Sequence, residues 1–105
     1  VILRLLDALE SAQRMMKEGG ATPGERIAFA FRLATARRPN AEESRILTGS
    51  FHHYWENYQG DRAAALKLVS VGESPRDEAL EVSELAAYTA VASLLLNLDE
   101  TLTKQ

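Results

Sequence analysis

The sequence predicts an all-α fold: a compact bundle of about five helices with the C-terminal helix at its centre. Apolar residues recur at intervals of three and four along most of the chain, which is the period of amphipathic helices. Helix start and stop signals divide this pattern into five segments. No stretch alternates apolar and polar residues as a half-buried strand does, and no hairpin-turn sequence occurs. Short connections favour antiparallel neighbours.

Size and composition fit a single domain over residues 1–105. Hydrophobic residues make up 46% of the chain and charged residues 26%, which are ordinary values for a globular protein and argue against disorder. The net charge is -3, without a basic block, so nucleic-acid binding is disfavoured. The sequence contains no cysteine, which excludes disulfides, thiolate metal sites and cysteine-attached haem from it.

The first two helices have clear boundaries. The first is predicted over about residues 1–18 and ends at two glycines. The second begins at Thr22, Pro23 and Glu25, a capping box with proline at the first helical position, and ends near Arg37. The predicted inner stripe of the first helix consists of Ile2, Leu5, Leu6, Leu9, Ala12 and Met16. The inner face of the second consists of Ile27, Ala30, Phe31 and Ala34, with Phe29 and Leu33 beside it.

The remaining three helices follow from similar signals. A capping box at Asn40 and Glu43 starts the third helix, and a short fourth helix spans about residues 62–71. The fifth spans about residues 82–103 and is apolar around most of its middle, so it should be the buried central helix. Its apolar run over residues 85–96 is shorter than the roughly 20 residues of a membrane span. One face of the third helix carries Leu47, Phe51, Tyr54 and Tyr58, and one stripe of the fifth carries Tyr88, Val91, Leu95, Leu98 and Leu102.

Three stretches resemble a known family. They are FRLATARRPNAEE at residues 31–43, GESPRD at residues 72–77 and ELAAYTAVASLLLNLDE at residues 84–100. Together they resemble the C-terminal part of PSD-one, a planctomycete-type domain of unknown function that often follows a cytochrome c-like domain. Tyr88 stands where that pattern has tryptophan, and Arg38 stands where it has a first proline.

The resemblance implies a helical segment near the C-terminal end of a longer protein that is exported or associated with the cell envelope. It implies that the haem site of such proteins lies upstream of these residues. It carries no catalytic residue onto the present positions, and the biochemical function of the family is itself not established.

The candidate interface lies on the third helix, where Trp55, His52 and Glu56 occur together. Trp55 falls at the edge of the core stripe, and partly exposed aromatic residues are enriched in interfaces. Packing at the rim of the domain's own core is the alternative for Trp55. His52 and Glu56 share a helix face, but a zinc site needs three or four ligands and the sequence has two histidines, so no metal site is predicted.

No catalytic or cofactor-binding residue is predicted. Glu43 has a capping role and Glu84 lies in the first turn of the fifth helix, where negative charge is stabilising. Neither a serine nucleophile elbow nor a glycine-rich phosphate loop occurs.

A structural ion pair is predicted for Asp99. It falls near the apolar stripe of the fifth helix, and an unpaired carboxylate close to a core is costly. Arg37 is the first choice of partner and Arg26 the second. The alternative is that the helix frays before Asp99 and leaves it solvated.

The leading functional hypothesis is a non-enzymatic helical module that packs against or positions other domains of its parent protein, or a protein partner. One alternative is that it contributes one wall of a ligand-binding or catalytic site that upstream domains complete. Another is a homodimer through the first or fifth helix. Large exposed apolar residues would favour a packing module or a dimer, whereas a concave pocket with converging polar groups would favour a site.

Overall fold

Five helices make up the described part of the chain. The computed structural model describes the backbone of residues 2–70 and 80–103, and the side chains of residues 7–70 and 80–96. The helices are α1 (Ile2–Glu18), α2 (Pro23–Thr35), α3 (Ala41–Gly60), α4 (Arg62–Val69) and α5 (Val82–Thr103). These residues form no strand, so the predicted all-α fold is confirmed. None of the helices found within these ranges is long and apolar enough to cross a membrane.

The central position of α5 is also confirmed, since it contacts each of the other four helices. Residues 85–89 are fully buried. This part of α5 carries mostly small and apolar side chains, so the other helices can pack against it on several sides. Tyr88 stacks on Phe51 of α3 with ring centroids 4.2 Å apart. Leu95 is 2% exposed, while the side chains of Leu98 and Leu102 lie outside the described residues.

The helix starts follow the predicted chemistry with one difference. Asn40 and Glu43 form a complete capping box, in which each side chain accepts a hydrogen bond from the backbone of the other. At α2, the Thr22 hydroxyl accepts from the Glu25 N–H at 3.2 Å. The Glu25 carboxylate accepts from the Ala21 N–H at 3.3 Å. In a standard capping box this carboxylate would accept from the N–H of the cap residue itself, Thr22.

Two helices end earlier than predicted. The second helix stops at Thr35 because Ala36 adopts a left-handed conformation, with φ 64°, and donates its N–H to the Arg32 carbonyl at 2.8 Å. This geometry caps α2 and directs the chain away before Arg37. The fourth helix stops at Val69, two residues short of the prediction.

The inner faces of α1 and α2 refine the predicted stripes. Met15 is fully buried, whereas Met16, which was assigned to the stripe, is partly buried against the core. Leu33 does not lie beside the inner face as predicted and is 57% exposed. The reason is the helix period, since each residue turns about 100° and Leu33 is rotated by that angle from Ala34. Leu33 therefore points outward from α2.

Candidate interaction surface

The predicted interface residues divide into one packed and two exposed side chains. Trp55 is partly buried against the core and stacks on Phe51, with ring centroids 5.7 Å apart. His52 and Glu56 are exposed on α3. Trp55 therefore uses much of its surface within the domain, and a role of all three in binding a partner remains a prediction. In residues 7–70 and 80–96, no cluster of histidine and acidic residues is suited to hold a metal ion.

The indole of Trp55 lies close to the start of α5. Its buried N–H makes no hydrogen bond of ordinary geometry to the described residues. It is nevertheless near enough to Glu81 to help lower the pKa of that carboxyl. Burial raises the Glu81 pKa, but hydrogen bonds from the backbone N–H groups of Ser83 and Glu84 and from the Ser83 hydroxyl outweigh this and bring it below the ordinary value. Glu81 is thus the N-cap of α5, and it carries a negative charge beside Trp55.

Arg37 pairs with a different carboxylate from the one predicted. Its two terminal nitrogens donate to the two carboxylate oxygens of Glu43 at 2.9 and 2.8 Å. This bidentate contact and the backbone N–H of Asn40 lower the pKa of Glu43 to about 2. The guanidinium also lies 4.9 Å from the centroid of the Phe31 ring. The side chain of Asp99 lies outside the described residues, so the Arg37–Asp99 pair stays a prediction.

Arg26 links α2 to the central helix. It donates to the Glu84 carboxylate and the Tyr88 hydroxyl, each at 3.3 Å, and to the Gly20 carbonyl at 3.1 Å. Its guanidinium lies 5.5 Å from the centroid of the Tyr88 ring. The Arg26 side chain is only 18% exposed, and these contacts engage its Nε and one of its two terminal nitrogens. We assign this cluster to structure, because it joins α2, α5 and the chain segment between α1 and α2.

An open groove lies where α1, α2 and α5 meet. Its volume is about 230 Å³. The exposed Leu33 lines this groove. It also lines a second, neighbouring groove together with Phe29, Arg32 and Ala36, so Leu33 forms a ridge between the two. We call the first depression the α1–α2–α5 groove. Its apolar lining comes from Ala30, Leu33, Ala34, Ala92, Leu95 and Leu96, and its polar lining from Asp7, Glu10, Ser11 and Arg14.

The polar wall of the groove belongs to α1. Glu10 and Ser11 lie three and four residues after Asp7, and four and three residues before Arg14, so all four lie on one side of that helix. Arg14 is engaged elsewhere, because it lies 3.4 Å from the Glu18 carboxylate and 5.7 Å from the Phe29 ring centroid. Asp7 and Glu10 are exposed and make no ion pair within the described residues. The rim therefore presents two negative charges beside an apolar floor.

Sequence reasoning missed this groove, although one signal for it was available. Phe29 and Leu33 are four residues apart on α2, away from the fully buried Ile27 and Phe31, and Leu33 lines the groove. Comparison with known protein families, with curated proteins and with solved structures finds no match for this chain.

Proposed function

We propose that this domain is a non-enzymatic helical interaction module, and that it binds another protein segment, such as part of a larger exported parent protein, through the α1–α2–α5 groove. The observation that carries the proposal is the exposure of Leu33. A leucine that is 57% exposed is unremarkable alone, but here it stands between two depressions with largely apolar linings. Apolar ridges and grooves of this kind are typical of surfaces that a partner covers.

The composition of the groove favours packing over catalysis. Six of its ten lining residues are alanine or leucine, which carry no proton-transfer group. Ala30, Ala92 and Leu95 are already buried and form the floor, so the apolar surface left for a partner comes from Leu33, Ala34 and Leu96. The polar residues stand along a single helix, whereas a ligand site usually gathers a few polar groups that converge on one point. These features support the packing module over the alternative of a wall of a catalytic site.

A peptide selection tests the proposal. Random 16-residue peptides displayed on phage would be selected on the wild-type domain, and enriched peptides measured against two variants. Leu33→Lys places a charge in the groove. Ile46→Lys is the matched control, because Ile46 is 53% exposed on α3 and does not line the groove. Both positions are more than half exposed, so the two variants should fold alike.

We expect enriched peptides that bind the wild type and Ile46→Lys with similar affinity but bind Leu33→Lys at least tenfold more weakly. An apolar anchor removed from a central pocket typically costs that much or more. Failure to enrich any peptide, or enriched peptides that bind both lysine variants equally, would show that the groove is not an interaction surface.

A further inference from the structure

The walls of the groove differ in chemistry, and this difference restricts what can fill it. On one side stand the apolar residues of α2 and α5, of which Ala30, Ala34 and Ala92 are small and allow close approach. On the other side stands the polar face of α1, which carries the carboxylates of Asp7 and Glu10 and, at its far end, Arg14 paired with Glu18. We call this face the acidic wall. A partner must therefore present apolar side chains to the floor and a polar edge to α1.

The length of the acidic wall also carries information. From Asp7 to Arg14 the face spans eight residues, and the rise of about 1.5 Å per residue makes this roughly two helical turns. A partner helix lying along this wall would insert residues spaced by three or four into the groove, as amphipathic helices do in hydrophobic grooves generally.

From the charge of this wall we infer that the occupant is an amphipathic helix with a basic edge, whose leucine-like side chains fill the groove and whose lysines or arginines face Asp7 and Glu10. This inference rests on the proposed function and adds the chemistry of the partner. Arg14 does not cancel the rim charge, because Glu18 lies beside its guanidinium. An acidic helix would place like charges against the rim, which costs affinity and slows association.

The enriched peptides provide the first test. When they are aligned as helices, lysine and arginine should concentrate on one edge of the apolar stripe. The second test is charge reversal in the domain: Asp7→Lys combined with Glu10→Lys should weaken binding of the best peptide roughly tenfold, since each exposed pair is replaced by a repulsion. Glu56→Lys on α3 is the matched control and should leave affinity within about twofold, because that exposed carboxylate lies outside the groove.

Two further measurements keep the inference falsifiable if the double variant folds poorly. Affinity of the wild-type domain for the basic peptide should fall as salt is raised from about 0.05 to about 0.5 M, since screening weakens exposed charge pairs. A peptide with its basic residues changed to glutamate should bind the wild-type domain more weakly, because it places like charges against Asp7 and Glu10.

The outcomes separate the inference from the function on which it rests. Groove-dependent peptides that are neutral or acidic, or whose binding is insensitive to salt and to charge reversal, would overturn the inference and leave the interaction module standing. The absence of any groove-dependent peptide would overturn both.

Discussion

The link between Arg26 and Tyr88 gives the most specific stability prediction. Changing Arg26 to methionine keeps most of the aliphatic stem that packs against α5 but removes every donor. Three hydrogen bonds of 3.1–3.3 Å are lost, each contributing about 0.5 kcal/mol at the lower end of the usual range because they are long. The contact with the Tyr88 ring adds about 0.5–1 kcal/mol. We therefore expect Arg26→Met to lower the free energy of unfolding by about 2–2.5 kcal/mol.

A double-mutant cycle isolates the part that involves Tyr88. Tyr88→Phe retains the stacking on Phe51 and removes only the hydroxyl, so it should cost about 0.5 kcal/mol. The double variant should cost less than the sum of the single changes by roughly 0.5 kcal/mol, because both remove the same hydrogen bond. Urea denaturation followed by circular dichroism measures all four free energies. Two small effects that simply add would refute the reasoning and show that Arg26 is solvated in solution.

Three further predictions concern the core, the surface and the backbone. Leu95→Ala should destabilise by about 2–5 kcal/mol, whereas Leu94→Ala, at a position that is 39% exposed, should cost clearly less in the same urea titrations. Glu43→Gln keeps a capping side chain but loses the charge that pairs with Arg37. The pKa of Glu43 is lowered from 4.5 to about 2 in the folded protein, so wild type should be more stable than Glu43→Gln above about pH 5, and this difference should vanish towards pH 2. Denaturation at a series of pH values measures the difference, and a difference that does not change with pH would show that the pair does not form. Ala36→Gly should raise the melting temperature, because glycine adopts the φ of 64° without the penalty of about 1 kcal/mol that alanine carries, and a lowered melting temperature would argue against the left-handed cap.

The backbone of this fold could be predicted closely from sequence because its signals are local. Asn40 and Glu43 specify a helix start within four residues, and their capping box forms as expected. The middle of α5 likewise carries apolar residues around most of its circumference, and this predicts that the helix is buried whatever the arrangement of the other helices. The early end of α2 was not predictable in this way, because alanine at position 36 gives no sign of the left-handed conformation it adopts.

Side-chain partners were harder to predict because they depend on how helices rotate against one another. The stop at Thr35 turns Arg37 toward Glu43 at the start of α3, a contact that the sequence did not predict. The contacts of Arg26 with Glu84 and Tyr88 were likewise not predicted, and the pairing of Asp99 stays a prediction. The groove was missed for the same reason, since the apolar residues on α2 do not show that a depression forms where α1, α2 and α5 meet. The cluster of aromatic residues on α3 made Trp55 the predicted interface residue, whereas the exposed apolar side chain beside the groove is Leu33 of α2.

A nuclear magnetic resonance titration tests the central claim most directly. The ¹⁵N-labelled domain would be titrated with the best selected peptide, and backbone amide shifts followed residue by residue. The claim that the α1–α2–α5 groove is the interaction surface predicts the largest shifts at residues 7–14, 30–36 and 92–96, where the groove lining lies. Shifts concentrated instead at residues 52–56 of α3, around Trp55, would contradict it and return the interface to the surface that sequence alone favoured.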